Sequence, residues 1–233
     1  MSQVDTFVLA SQFSEVGIYF HFADLLLNLI DLSDGPFKEE VQQQVDRLSH
    51  RRPAVKIQLE ELCTALAEVG LGAPEAPRTP AQYYEFSQAF IPALLEGLPE
   101  GGREWIGALC GVRYGQLMLQ LQIMTLIYRL LMIEPNHGLL RKQLQQILGQ
   151  MPVLREGLLE VLRHPELHPE LTSNLSDGIS AIDQLAVDLV LPSDTAQAKQ
   201  IGIHIQTQLN ELVAAKTAGL MLLQRDESRQ SGE

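Results

Sequence analysis

GVRYGQLMLQLQIMTLIYRLLMIEP, residues 111–135, is the most apolar stretch of the chain, and its reading decides the fold. A bilayer span needs roughly 20 mostly apolar residues. Between Arg113 and Arg129 lie only 15 uncharged residues, and Gln116, Gln120 and Gln122 interrupt them. The stretch is too short and too polar to cross a membrane. Extended to its flanks and turned at about 100° per residue, it shows two apolar arcs. One carries Ile106, Cys110, Tyr114, Leu117, Leu121, Met124, Tyr128 and Met132, and the other Trp105, Ala108, Val112, Leu119, Ile123, Leu126 and Leu130. Narrow polar stripes separate them, Arg113, Gln116 and Gln120 on one side and Glu104, Gln122 and Arg129 on the other. A surface helix has one apolar stripe, whereas a helix apolar on two sides is packed on both. The pattern predicts the central helix of a bundle over residues 102–133.

The rest of the chain follows the same period, with no alternating run bounded by hairpin signals. Helices are predicted at about 3–32, 36–50, 53–69, 80–97, 102–133, 137–149, 152–163, 173–190 and 194–224. Asp34 with Pro36, Thr79-Pro80-Ala81-Gln82 and Pro192-Ser193-Asp194 read as helix starts, and Pro135 closes the central stretch. The glycines of GLPEGGRE (97–104) read as a helix end followed by a new start. The fold class is therefore all-α, a bundle of about seven to nine helices. Residues 1–70 form an N-terminal helical segment and 71–80 a proline-rich linker. Residues 81–224 form the main bundle packed with those first helices, and 225–233 a flexible tail.

Helix 3–32 carries His21, Asp24, Asn28 and Asp31 on one narrow stripe and apolar residues around the broad remainder. Glu15 falls inside the apolar arc, so it is expected buried and paired with Arg113 or Arg129, since a buried carboxylate needs a partner. An edge helix normally exposes about half its circumference. The surplus apolar face, centred on Phe22, Leu25, Leu26 and Leu29, is thus expected to bind a protein partner or a second copy of the chain as a dimer.

Composition narrows the function. The chain is 45% apolar and 20% charged, too apolar for a disordered protein. Its net charge of −12 repels a phosphate backbone, and the one tight basic group, Arg47, His50, Arg51 and Arg52, reads as a solvated helix end. Cys63 and Cys110 are far apart and outside any CxxC, which excludes a disulfide scaffold or a zinc ribbon. MSQVDTFVLA has no basic region ahead of an apolar run, so a cytoplasmic location is expected.

Catalytic signatures are few. There is no GxGxxG after a strand, no P-loop and no GxSxG. Repeated ExxH motifs of a di-iron bundle are missing, and no metal or cofactor is expected. His21 and His204 would be the pair for a bis-histidine haem, but both fall on the polar side of their helices, where a solvated imidazole is the simpler reading. Arg163-His164-Pro165-Glu166-Leu167-His168 resembles the Arg-polar-x-x-x-His signature of HEPN ribonucleases, small all-helical proteins that usually act as dimers. The resemblance implies that Arg163 and His168 line a shared RNA cleft; it covers only these six residues, which also read as a proline-bounded turn between two helices. The expected function is non-enzymatic: a cytoplasmic adaptor, assembly or regulatory protein acting through helix–helix contacts. A HEPN-like ribonuclease and a membrane-active helical protein are the alternatives, while nucleic-acid or membrane partners fit the composition poorly.

Overall fold

The computed structural model describes residues 2–68 and 75–230. Seven helices and no strand are found among the described residues: α1 (Gln3–Ile30), α2 (Gly35–Glu68), α3 (Pro80–Glu96), α4 (Arg103–Leu131), α5 (Gly138–Leu162), α6 (Pro169–Leu185) and α7 (Thr195–Gln230). The predicted central helix is α4, which packs against all six others. Its first arc is sealed, with Tyr114, Leu117, Leu121, Met124 and Tyr128 fully buried, and its second arc buries Ala108, Val112, Leu126 and Leu130. Trp105, Leu119 and Ile123 of the second arc are half-buried, and at the C-terminal end Met132 is exposed. The Tyr114 and Tyr128 hydroxyls donate to the Leu212 and Val190 carbonyls, so the two buried phenols are satisfied by the end of the chain.

The closest approach in the bundle is between α1 and α4. Gly107, Gly111 and Gly115 recur every four residues on one face of α4. A Cβ on Gly111 would stand 2.5 Å from the Phe7 carbonyl oxygen, and Cβ atoms on Gly107 and Gly115 would strike Gln3, Thr6 and Ser14. No side chain larger than hydrogen fits, so the two backbones meet directly. α1 itself divides two cores. Phe7, Leu26 and Leu29 join the main core with α2, α4, α5, α6 and α7. Phe13, Val16 and Phe20 join a second core with the distal half of α2 and with α3. There Phe20 stacks on Tyr83 at 4.8 Å and Phe13 lies 4.3 Å from Phe90. Gly17 leaves room for the Tyr83 hydroxyl, which donates to the Phe13 carbonyl.

This packing corrects the expectation of an uncovered α1. Leu25, Leu26 and Leu29 are 8%, 1% and 0% exposed, so they hold the core together and offer no docking face. The surplus apolar surface is absorbed within the chain by α2, α3 and α4, and a dimer through those leucines would have nothing to grip. By length and composition α1 could cross a membrane, yet here its apolar sides are covered by other helices.

Two predicted helix breaks are absent. α2 runs through Pro53 and α5 through Pro152. A proline removes one backbone bond and crowds the carbonyl four residues before it. Buried residues on both sides of each proline hold both flanks and keep the axis continuous: Ile147 and Leu154 in α5 both enter the main core, while in α2 Leu48 enters the main core and Val55 the second. The basic group Arg47–Arg52 consequently lies mid-helix and exposed rather than at a helix end. α6 starts four residues earlier than predicted, and α7 continues to Gln230, beyond the expected end near 224. Of the expected linker, 71–74 lie outside the described residues, as do 231–233 of the tail; 75–79 are non-helical and end in Thr79, whose hydroxyl accepts the Gln82 N–H.

Candidate functional site

Each polar stripe of α4 opens into a cleft. On the Gln120 side, α1, α3, α4 and α5 enclose about 190 Å³. Its walls are mostly amides: Asn28 from α1, Gln120 from α4, and Gln143, Gln146 and Gln150 from α5. On the opposite wall a hydrogen-bonded chain runs from Asn28 to Asp24, then to Tyr84 of α3 and His21. Tyr84 Oη lies 3.4 Å from Asp24 Oδ2 and 3.3 Å from His21 Nδ1. A phenol has one proton, and a carboxylate draws it more strongly than a neutral imidazole. Tyr84 therefore donates to Asp24 and accepts from His21 Nδ1–H, which leaves His21 Nε2 as an acceptor. Burial, and then Asp24, pushes the Tyr84 hydroxyl up to about 12, so it stays protonated. Burial also holds His21 below its usual 6.5, with Asp24 opposing only in part. Across the cleft, Gln120 Nε2 donates to Gln150 Oε1 at 3.3 Å, while Gln120 Oε1 is buried without a donor.

On the Gln122 and Arg129 side, α1, α2, α4 and α7 leave a groove of about 420 Å³. Its floor is apolar, with Phe22, Leu126 and Leu209, and the exposed Ile203 and Met132 stand along the rim with Gln44, Gln122 and Gln206. α4 and α7 run antiparallel here, since Tyr128 packs against Gly202 and Tyr114 reaches Leu212. Arg129 and Lys199 are accordingly level with each other at one end. Arg129 Nε is 3.7 Å from Glu40. No carboxylate lines the groove among the described residues.

The residues singled out from sequence are scattered. Arg163 caps the C-terminus of α5 and is exposed. His168 caps the N-terminus of α6, its Nδ1 accepting the Glu170 N–H and its own N–H donating to Gln3 Oε1 at 2.9 Å. The pair thus sits on either side of a turn, not on one helix, and the Gln3 side chain ties that turn to α1. His21 and His204 line different clefts, and His204 Nδ1 contacts Asp188 at 2.9 Å. Of the four residues expected to bind a partner, Phe22 lines the apolar-floored groove and Leu25 the amide-walled cleft, while Leu26 and Leu29 line neither.

Glu15 is half-exposed and pairs with Lys216 of α7, not with an arginine. Arg113 bonds only weakly to Gln116 Oε1 at 3.4 Å, and its Nε is buried without a partner against Gly157. Both cysteines are buried, and burial pushes both thiols up, so neither is a thiolate nucleophile at neutral pH. Tyr84, Gln150, Lys199 and Gln206 carried no signal of their own in the sequence. Comparison with models of known protein families, with curated proteins and with solved structures returned no match.

Proposed function

We propose that this protein is a non-enzymatic adaptor, assembly or regulatory protein of the cytoplasm, and that it receives an amphipathic helix of a protein partner in the groove between α2 and α7. The observation that carries this reading is the groove's match to a helix. Lys199 to Leu209 on α7 and Gln122 on α4 to its C-cap Met132 each cover eleven residues, or ten steps along the axis. At about 1.5 Å per residue that is roughly 15 Å, or about three helical turns. An apolar floor bounded by amides and closed at one end by two cations suits an apolar i, i+3, i+7 stripe whose acidic or C-terminal end lies by Arg129 and Lys199. The exposed apolar side chains Ile203 and Met132 sit at the rim, where covering them would stabilise a complex. Two unpaired, buried cysteines accord with a reducing compartment.

Capture of partners from the native cell tests the proposal. Ile203→Glu places a carboxylate on an exposed position of the groove, and Lys199→Glu reverses its charge. Both variants should keep the wild-type melting temperature and lose the partner. Identical captured proteins for wild type and Ile203→Glu would overturn the assignment.

A further inference from the structure

We propose that the amide-walled cleft between α1, α3, α4 and α5 is a binding site for a small organic cation bearing several N–H donors, a guanidine or a primary amine. This does not depend on partner docking in the other groove. Three observations converge on that chemistry. The first is charge. Of the described residues that line the cleft, Asp24 alone carries a formal charge at neutral pH, and neither lysine nor arginine is among them. The net charge of −12 adds an attractive background for a cation.

The second is the supply of acceptors. Gln120 gives its N–H to Gln150 and turns a buried carbonyl oxygen to a place with no donor. Buried polar atoms in native proteins are almost always paired, so a small rotation of the Gln120 amide that opens this oxygen to the cleft would let it accept an N–H from a ligand. Facing it, the Asn28–Asp24–Tyr84–His21 chain consumes its own donors internally and leaves the Asp24 carboxylate and His21 Nε2 as acceptors. Gln143, Gln146 and Gln150 offer donors as well as acceptors, so the choice between an anion and a cation falls to the Asp24 carboxylate, which repels the one and attracts the other. A guanidinium, with five N–H donors in a plane, meets partners on both sides.

The third is size and lining. The 190 Å³ of the cleft corresponds to roughly six water molecules at about 30 Å³ each, the scale of a ligand with under a dozen non-hydrogen atoms. Leu25, Ile123, Leu139 and Ile147 supply an apolar patch for a short alkyl chain. The Tyr84 ring adds a π surface of the kind that attracts cations.

Butylguanidinium is the probe, with butylurea as the neutral molecule of the same shape and pentanoate as the anion, each titrated into the full chain by calorimetry and by NMR. Butylguanidinium should bind at least ten-fold tighter than butylurea, and pentanoate should not bind. Asp24→Asn should weaken butylguanidinium ten-fold or more while leaving butylurea unchanged, and Gln120→Leu should weaken both. Both variants should keep the wild-type melting temperature, which controls for loss of folding. A capped Gly-Arg-Gly tripeptide separates the two sources of this chemistry. Equal affinity assigns the cleft to an arginine side chain of a partner, weaker affinity assigns it to a free guanidine or amine, and either upholds the proposal. Equal binding of butylurea and butylguanidinium, preference for pentanoate, or an Asp24→Asn variant that still binds as wild type would overturn it.

Discussion

The two clefts of this bundle share a floor and differ in almost everything else. Both open beside α4, on stripes only two residues apart at Gln120 and Gln122, and both take a wall from α1. One is small, amide-walled and carries a single carboxylate; the other is more than twice its volume, apolar-floored and carries two cations. The difference arises because α1 presents its His21–Asp24 stripe to one side and Phe22, between them in sequence, to the other. Adjacent residues on a helix point about 100° apart, so one turn of α1 writes opposite chemistry onto the two openings. A central helix in a modest bundle can therefore serve two unrelated contacts without either interfering with the other.

The comparison breaks most completely if α1 is lifted from α4. Gly111→Val sets a branched side chain against the Phe7 carbonyl, where even a Cβ would stand at 2.5 Å. Helix propensity gains somewhat under 1 kcal/mol from losing the glycine, but overpacking costs about 3 kcal/mol or more at a backbone contact. Denaturant unfolding should show a net loss of stability. Partner capture and butylguanidinium binding should fall together, because both clefts lose the α1 wall.

A sharper separation comes from crossing variants that touch one cleft each. Lys199→Glu should abolish partner capture and leave butylguanidinium affinity unchanged, and Asp24→Asn should do the reverse. Their effects on each ligand should be additive in the double variant, as expected for sites without shared contacts. A partner lost on Asp24→Asn would show that the clefts communicate through α1.

Acidity distinguishes the clefts more gently. Burial lowers His21 from 6.5, so the unfolded chain takes up a proton at a pH where the folded chain resists it. By linkage, the stability that neutral His21 contributes is complete above pH 6.5 and is lost as pH falls below that value toward the lowered folded value. A series of melting temperatures from pH 7 to pH 5 should decline less steeply in His21→Asn than in the wild type. Parallel declines would place the titrating group elsewhere.

The smallest expected effect lies outside both clefts. Glu15 is 47% exposed in its pair with Lys216. Glu15→Gln should cost well under about 1 kcal/mol, and less still in high salt. A larger loss would mean that Lys216, only 13% exposed, is stranded without its carboxylate.

Helical periodicity made α4 legible because both of its arcs are long and unbroken, and the burial of Tyr114, Leu117 and Leu121 follows it directly. The glutamine stripes were legible as polar but not as clefts, since Gln120 and Gln143 come from different helices and nothing local says that they converge. A helical wheel gives an angle and no depth, which is why Glu15 reads as buried while a lysine two hundred residues away meets it near the surface. It also cannot say whose chain covers an apolar face: Leu26 and Leu29 are covered inside their own bundle. Proline was read unevenly. The pattern places Pro92 inside a helix and Pro53 and Pro152 at helix starts, yet buried flanks carry the axis through all three.

The glycine seam between α1 and α4 also sets a schedule. α1 precedes the end of α4 by about a hundred residues in the chain. At roughly 5–20 residues per second of synthesis, the first helix waits on the order of 5–20 s before the surface it fits has been made. Throughout that interval the helix with the most membrane-like composition in the described chain has neither Gly107 nor Gly111 to lie against. α2 and α3 are finished earlier and can shelter its Phe13 and Phe20 side, leaving the Phe7 and Ala10 side bare. The side of α1 that waits longer for its cover is thus the one with the least tolerance for anything left in between.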